Sequence, residues 1–278
     1  MTLSNFKCMT RGVRFRLVWT GFSLALAGGS FGQSFAPVAT AGTPPPRENL
    51  SYEIEWRLIY AGNARLTLSP RGPADSNGLE ARVHLESAGL VSKLYRLVDD
   101  YDVAMRDQFC ADSADFSAIE KSRHRETKVE YDRSRGKASY VERDLVKNSI
   151  IKSGETSIPA CVSDVIGALY KLRSIRLDPG QSTQFNLSDG RKSASVRIEA
   201  QGKEEIKIKN ETYNTVRYEA SVFNGVLFAR KAQLLIWLAD DPTRLPVQIR
   251  VRLSFPIGSI TLQLDKEEHP PTAALAAH

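Results

Sequence analysis

The sequence predicts a mainly β fold: a large curved antiparallel sheet, or half-open barrel, packed on one main amphipathic helix. Three observations lead there. Apolar and polar residues alternate with a period of two through most of the chain beyond residue 50, as in strands with one dry and one wet face. These segments follow one another through short turns without helices between them, which favours antiparallel pairing. A single stretch, residues 159–176 (PACVSDVIGALYKLRSIR), switches to helical spacing.

The elements follow in chain order. Tyr52, Ile54, Trp56 and Leu58 alternate with Glu53, Glu55 and Arg57. Ala61-Gly62-Asn63 is the expected turn, and Ala64, Leu66 and Leu68 alternate back as the second strand of a hairpin. Residues 70–78 (PRGPADSNG) read as a loop. Val83 and Leu85 sit between Arg82, His84 and Glu86, and residues 90–95 read as a short helical turn. Leu97, Tyr101, Val103 and Met105 share one parity. Val129 and Tyr131 share another, and residues 132–137 (DRSRGK) turn the chain into Tyr140 and Val141. Val196, Ile198 and Ala200 form a strand pattern, as do Ile206 and Ile208, then Val216, Tyr218 and Ala220. Near the end, Val247, Ile249, Val251 and Leu253 alternate with polar residues, Phe255-Pro256-Ile257-Gly258 turns, and Ile260, Leu262 and Leu264 alternate back. The total is roughly a dozen strands.

In the helical stretch, Val162, Val165, Ile166, Leu169 and Leu172 share a face. Lys171, Arg173 and Arg176 gather at its C-terminal end, where positive charge suits the helix dipole. Asp178-Pro179-Gly180 stops it, and Asp164 near its start is placed to bind exposed amides. With one apolar and one polar face, this helix is expected to lie against the concave side of the sheet. A more fully closed barrel with the helix outside is the alternative.

The N-terminus says where the protein works. Lys7, Arg11, Arg14 and Arg16 precede an apolar run at residues 17–27 (LVWTGFSLALA), and Ala39-Thr40-Ala41 fits a secretory cleavage site, with Ser34-Phe35-Ala36 as a nearer alternative. The run is short of the ~20 apolar residues of a membrane-spanning helix. Residues 1–41 are therefore read as a signal peptide and 42–49 as a linker containing Thr43-Pro44-Pro45-Pro46. Residues 50–267 are read as one β-rich domain and 268–278 as a loose tail. The expected location is the periplasm, with no transmembrane helix in the mature chain.

The net charge of +6 includes those four leader cations, which leaves +2 for the rest. That near-neutral balance, without a stripe of aromatic and basic residues, gives no basis for a nucleic acid partner. Of three cysteines, Cys8 lies in the leader and Cys110 and Cys161 remain. Two thiols in an oxidising compartment are expected to pair, closing a loop of about 50 residues and contributing roughly 2–4 kcal/mol.

Three blocks resemble the bacterial domain-of-unknown-function 3108 family. They are Leu50-Ser51-Tyr52-Glu53-Ile54 with Ala61-Gly62, then Ala160-Cys161-Val162-Ser163-Asp164-Val165 running to Leu169-Tyr170-Lys171-Leu172-Arg173, then Ile236-Trp237-Leu238-Ala239-Asp240-Asp241 with Arg244-Leu245-Pro246-Val247 and Gly258. The resemblance implies an exported, mostly β bacterial protein and carries no catalytic residues. The layout is also similar to periplasmic lipoprotein carriers, which curl a sheet around a lipid-binding cavity; that link is an analogy of architecture.

The search for chemistry assigns no catalytic residues, no metal ligands and no cofactor. There is no G-x-S-x-G elbow, no phosphate-binding glycine loop and no pair of histidines at ligand spacing among His84, His124, His269 and His278. Asp99, Asp100 and Asp102 form an acidic cluster in which Asp99 has the inward parity of Leu97 and Tyr101. An acid-dependent hydrolase using Asp99, Asp102 or Asp240 is one reading and solvated strand-end carboxylates the other. Asp240-Asp241-Pro242 reads as an Asx-type turn. Residues 233–239 (QLLIWLA) lack alternation, so this strand is buried on both sides or lines a cavity. Trp56, Tyr101, Tyr170, Phe228 and Trp237 are the expected liners of a pocket for a lipid or other apolar or amphipathic ligand. The alternative is a structural or assembly module with an envelope protein partner, engaged through a sheet edge.

Overall fold

The structure, a computed structural model, describes residues 39–40, 47–72, 78–254 and 258–268. The expected tail apart from residue 268, the turn at 255–257, and all of the expected signal peptide and linker except residues 39–40 and 47–49 lie outside them. The strands are β1 (Ala39–Thr40), β2 (Glu48–Trp56), β3 (Ile59–Pro70), β4 (Leu79–Ser87), β5 (Leu97–Arg106), β6 (Cys110–Glu120), β7 (Arg123–Asp132), β8 (Lys137–Asp144), β9 (Ser149–Ser157), β10 (Ile175–Arg176), β11 (Ser182–Ser188), β12 (Ser193–Ile208), β13 (Glu211–Ala220), β14 (Ala232–Ala239), β15 (Pro246–Leu253) and β16 (Ser259–Glu268). The helices are α1 (Gly89–Leu94) and α2 (Val165–Arg173).

Fourteen strands form one antiparallel sheet in the order β11-β12-β13-β14-β15-β16-β2-β3-β4-β5-β6-β7-β8-β9. Neighbours in sequence pair with each other, and the β16–β2 ladder joins the two runs, with Leu262 opposite Ile54 and Leu264 opposite Tyr52. The outermost strands β9 and β11 do not pair with each other, so the sheet curls without closing. The predicted class, a curved antiparallel sheet around one main helix, is the class observed.

Inward positions alternate as the period-two pattern requires. Leu50, Tyr52 and Ile54 on β2, Val103 and Met105 on β5, Val196 and Ile198 on β12, and Val216 and Tyr218 on β13 are all buried in the core around α2. Strand β14 explains the unbroken apolar run at 233–239. Leu234, Ile236 and Leu238 share one parity and Leu235, Trp237 and Ala239 the other, and both sets are largely buried. The outer set is covered by polar groups: Trp237 Nε1 donates to Glu204 at 2.7 Å, and the Arg250 guanidinium lies 5.3 Å from its ring centroid.

Three expectations need correcting. First, the helix is shorter than residues 159–176. Before it, Cys161 is bonded to Cys110, the Val162 carbonyl accepts from Ala111 N, and Ser163 pairs through its backbone with Asn186 and Ser188. Backbone groups engaged in those contacts are unavailable to a helix. After it, Ser174 N–H donates to Tyr170 and Lys171 carbonyls, and β10 pairs antiparallel with β1.

Second, α2 is buried on most sides. Gly167, Ala168, Leu169, Tyr170, Leu172 and Arg173 are all buried. A Cβ on Gly167 would stand 2.8 Å from the Phe109 carbonyl oxygen, so only glycine permits this approach of helix to strand end. Arg173 is tolerated inside because Glu48 meets its guanidinium with both carboxylate oxygens at 2.7 Å, both side chains being fully buried. Tyr170 Oη donates to Glu48, and the carbonyls of Thr243 and Arg244 accept from Arg173. Burial works against the Arg173 charge, and the hydrogen bonds and charge of Glu48 outweigh it, holding its pKa above the ordinary arginine value.

Third, the opening hairpin turns earlier than Ala61-Gly62-Asn63. Those residues lie inside β3, and the turn is Arg57-Leu58. Gly62 marks an irregularity in the β2–β3 pairing rather than a reversal, where a Cβ would fall 2.0 Å from the Glu86 carbonyl oxygen. Arg57 and Leu58 instead take positive φ, 52° and 68°. That is the twist a two-residue hairpin turn needs, at roughly 1–2 kcal/mol per non-glycine residue.

Removing one partner of the buried pair is expected to cost far more than removing both. Glu48→Gln should lower unfolding free energy by about 3–5 kcal/mol, and Glu48→Leu with Arg173→Met should restore most of it, as read by urea denaturation.

Candidate functional site

A nine-residue helix is about 14 Å long, too short to cover the concave face, and space remains around its first turn. One cavity of about 130 Å³ is lined only by apolar side chains, among them Leu169, Leu187, Ile198, Phe223 and Ile236. A second, of about 370 Å³, lies against Val83, Tyr101, Phe116 and Val129, with Ser188, Asp189 and Arg191 supplying polar groups. Val165, at the start of α2, and Phe228 line both.

The walls are rigidly placed. Asp164 caps α2 as its sequence position predicts: its carboxylate accepts from Ile166 N at 2.9 Å and Gly167 N at 2.8 Å. The same carboxylate accepts from Tyr101 Oη at 2.9 Å, tying β5 to the helix start. Burial pushes the Asp164 carboxyl up, and these three donors oppose that push. Tyr131 Oη donates to the Ser188 carbonyl at 2.9 Å, so the β11–β12 turn is held over β7. In that turn Asp189 accepts from the amides of Arg191 and Lys192, and Arg191 pairs with Glu142 at 3.0 Å. The Cys110–Cys161 disulfide joins β6 to the segment leading into α2, with its Cα atoms 5.2 Å apart.

Of the five expected liners, the structure brings Tyr101 and Phe228 to the cavities. Tyr170 lies fully buried beside Glu48, and Trp237 faces the other side of the sheet. Trp56 is part-buried at the end of β2 under the Arg57 guanidinium. Val165 and Arg191 were not among the liners expected from the sequence. Val165 had a helical-face signal; Arg191 sits in a turn that carries none.

The acidic cluster is divided by the strand alternation that made it attractive. Asp100 pairs with His84 at 2.7 Å and Asp102 with Arg82 at 3.3 Å, while Asp99 takes the parity of Tyr101. Asp240 bridges Arg176 and Lys203, and Asp241 closes the expected Asx-type turn by accepting from Thr243 N and Arg244 N. His124 contacts Ser117 Oγ, and His269 and His278 lie outside the described residues. Among the described residues no three His, Cys, Asp or Glu side chains converge as a metal site would require.

The sequence over most of this fold matches a known family. The family described as "Protein of unknown function (DUF3108)" matches residues 51–265. The chain belongs to that family. No curated protein matches it significantly. Among solved structures it is similar to a β-barrel-like protein of the domain of unknown function DUF1849 from Brucella abortus. The TM-score is 0.51 at 9% identity, over 82% of this chain and all of the other. At that identity the likeness concerns the fold alone. A protein with a YmcC-like fold from Bacteroides fragilis aligns over 83% of this chain and all of its own at 10% identity, with a TM-score of 0.35, too low to carry an argument.

Asp99 supplies a pH dependence. Its Oδ1 is buried without a partner, and burial, with Glu120 and Asp100 nearby, raises its pKa to about 6. Between the ordinary aspartate value and about 6 the folded state binds more protons than the unfolded state. Asp99 therefore favours folding at low pH and opposes it as pH rises through that window. Asp99→Asn should be more stable than the parent at pH 8, with the difference vanishing near pH 4, as read by thermal melts across that range.

Proposed function

We propose that this member of the DUF3108 family is an exported periplasmic protein that binds an apolar or amphipathic ligand in the cleft beside the first turn of α2. The observation that carries the reading is the pair of cavities meeting at Val165 and Phe228. A core closed for stability alone would be packed to near-crystalline density. Here an apolar chamber adjoins a larger one with Asp189 and Arg191 at its polar side, a combination that suits a hydrocarbon chain ending in a polar group. Tyr101 and Phe228 would contact the chain, and Arg191 would orient the polar end. The disulfide is compatible with an oxidising compartment, and the basic, apolar N-terminal segment supports export.

Filling the junction tests this. Val165→Trp should weaken binding of a fluorescent fatty-acid probe about tenfold or more without lowering the melting temperature, because the indole occupies the ligand's volume. Unchanged probe affinity, or no probe binding by the parent protein and no lipid in an organic extract of it, would remove the reading.

A second reading has its own observation. Outer strand β9 presents Ile150 and Ile151, 62% and 44% exposed, and such an edge is a template for strand addition by an envelope protein. Under this reading, Ile150→Lys with Ile151→Lys should abolish a partner captured by cross-linking in intact envelopes, while probe binding is unchanged.

A further inference from the structure

The end of the sheet that carries the β2–β3 turn and α1 departs from what folding alone favours. Leu58 is 89% exposed at the tip of its turn. Its φ of 68°, like the 52° of Arg57, is where glycine or asparagine would be less strained. Helix α1 has no buried residue. It exposes Leu90 and Leu94, 62% and 68%, together with Tyr95. These two elements are adjacent: Ala88 N donates to the Ala61 carbonyl, and the Tyr60 ring lies against Gly89. Leu58, Ile59, Tyr60, Leu90, Leu94 and Tyr95 thus form one uncovered apolar surface.

Cations surround it. Arg57, Lys93, Arg96, Lys121 and Arg123 are all exposed at this end. Lys121 lies 5.1 Å from the Tyr95 ring centroid and donates its backbone N–H to the Arg96 carbonyl. The carboxylates at the same strand ends are Glu55, Glu86, Asp99 and Glu120, and burial raises the pKa of Asp99 to about 6, so positive charge remains in excess by a small margin. Leucines at the centre, tyrosines beside them and arginines and lysines around the edge match the layering of a lipid interface, from acyl region to anionic headgroups.

We propose that this end is a lip that seats on an anionic lipid surface, inserting Leu58, Leu90 and Leu94 among the headgroups while the five cations bind lipid phosphates. From the lip, the inward positions of β5 run through Leu97 and Asp99 to Tyr101 on the cavity wall. The lip would therefore face the route to the cleft, but it stands independently of the ligand reading: a protein that binds no fatty-acid probe would still dock.

The test uses the full chain with vesicles of phosphatidylglycerol and phosphatidylethanolamine carrying a phospholipid with a photoactivatable group on its acyl chain. Cross-linked peptides are mapped by mass spectrometry. Labels at residues 58–60 and 90–95 should be about fivefold or more denser than at residues 133–136, the turn at the other end of β7, and should fall in about 0.5 M salt or on phosphatidylcholine vesicles. Labels in residues 17–27, which are apolar in their own right, are counted separately. Leu58→Gly suits the positive φ and preserves the fold; it and Leu90→Glu with Leu94→Glu should each lower lip labelling about tenfold with cooperative melting retained. Labelling no denser at the lip than at residues 133–136 overturns the proposal. So does a dimer in solution that Leu90→Glu with Leu94→Glu dissociates, which would make a second copy the occupant.

Discussion

Inside the curled sheet the carboxylate of Glu48 and the guanidinium of Arg173 meet out of contact with water, and the placing of α2 follows from that meeting. A buried guanidinium without its carboxylate is strongly destabilising, so the C-terminal end of the helix has one position available, against the first residue of β2. Its N-terminal end is held by the Asp164 cap, the Tyr101 hydroxyl and the disulfide just before it. Two polar anchors and one covalent bond thus fix a rod whose sides are apolar. The strands pack around it.

The cleft is a consequence of those anchors. With α2 pinned at its C-terminal end among Glu48, Thr243 and Arg244, its nine residues end short of the region where β4, β5, β6 and β7 face the β11–β12 turn. Hydrophobic side chains from both runs of strands face the remaining space without filling it. Unfilled apolar volume costs stability in proportion to its size, and so does an exposed leucine in left-handed backbone. The protein carries both costs, one inside the curl and one at its end. Departures from local stability that cluster in this way are where a function without reactive side chains is to be sought.

Strand identity was legible wherever one face is buried, because burial on one side writes a period of two into the residues. The strands of the fourteen-stranded sheet that escaped this reading, β6, β9 and β11, show why. In β9 almost every position is open to water, so no buried face imposes alternation; β11 does alternate, with Phe185 and Leu187 buried between exposed Gln184 and Asn186, but the pattern holds only two apolar residues. In β6 small and polar residues mix on both sides. The first turn was misplaced because Gly62 has the composition of a turn but serves a close backbone contact, whereas Arg57 and Leu58 have no turn composition at all. Among the candidate aromatic residues, Tyr101 and Phe228 face the cavities and Trp237 does not. Parity places a side chain on one face of a strand, but it does not say which part of that face the helix leaves uncovered.

What the residues alone determined is the set of properties that depend on near neighbours in the chain. These are the antiparallel strands, the amphipathic segment around residue 165, the Asp164 cap, the Asx-type turn at Asp241 and the family resemblance. Tertiary structure alone decided the rest: that β16 meets β2, that Glu48 neutralises Arg173 across 125 residues, and that the helix stops short and leaves a cavity. Each of these is a contact between positions far apart in sequence, and its free energy comes from excluding water between surfaces that only the complete fold brings together.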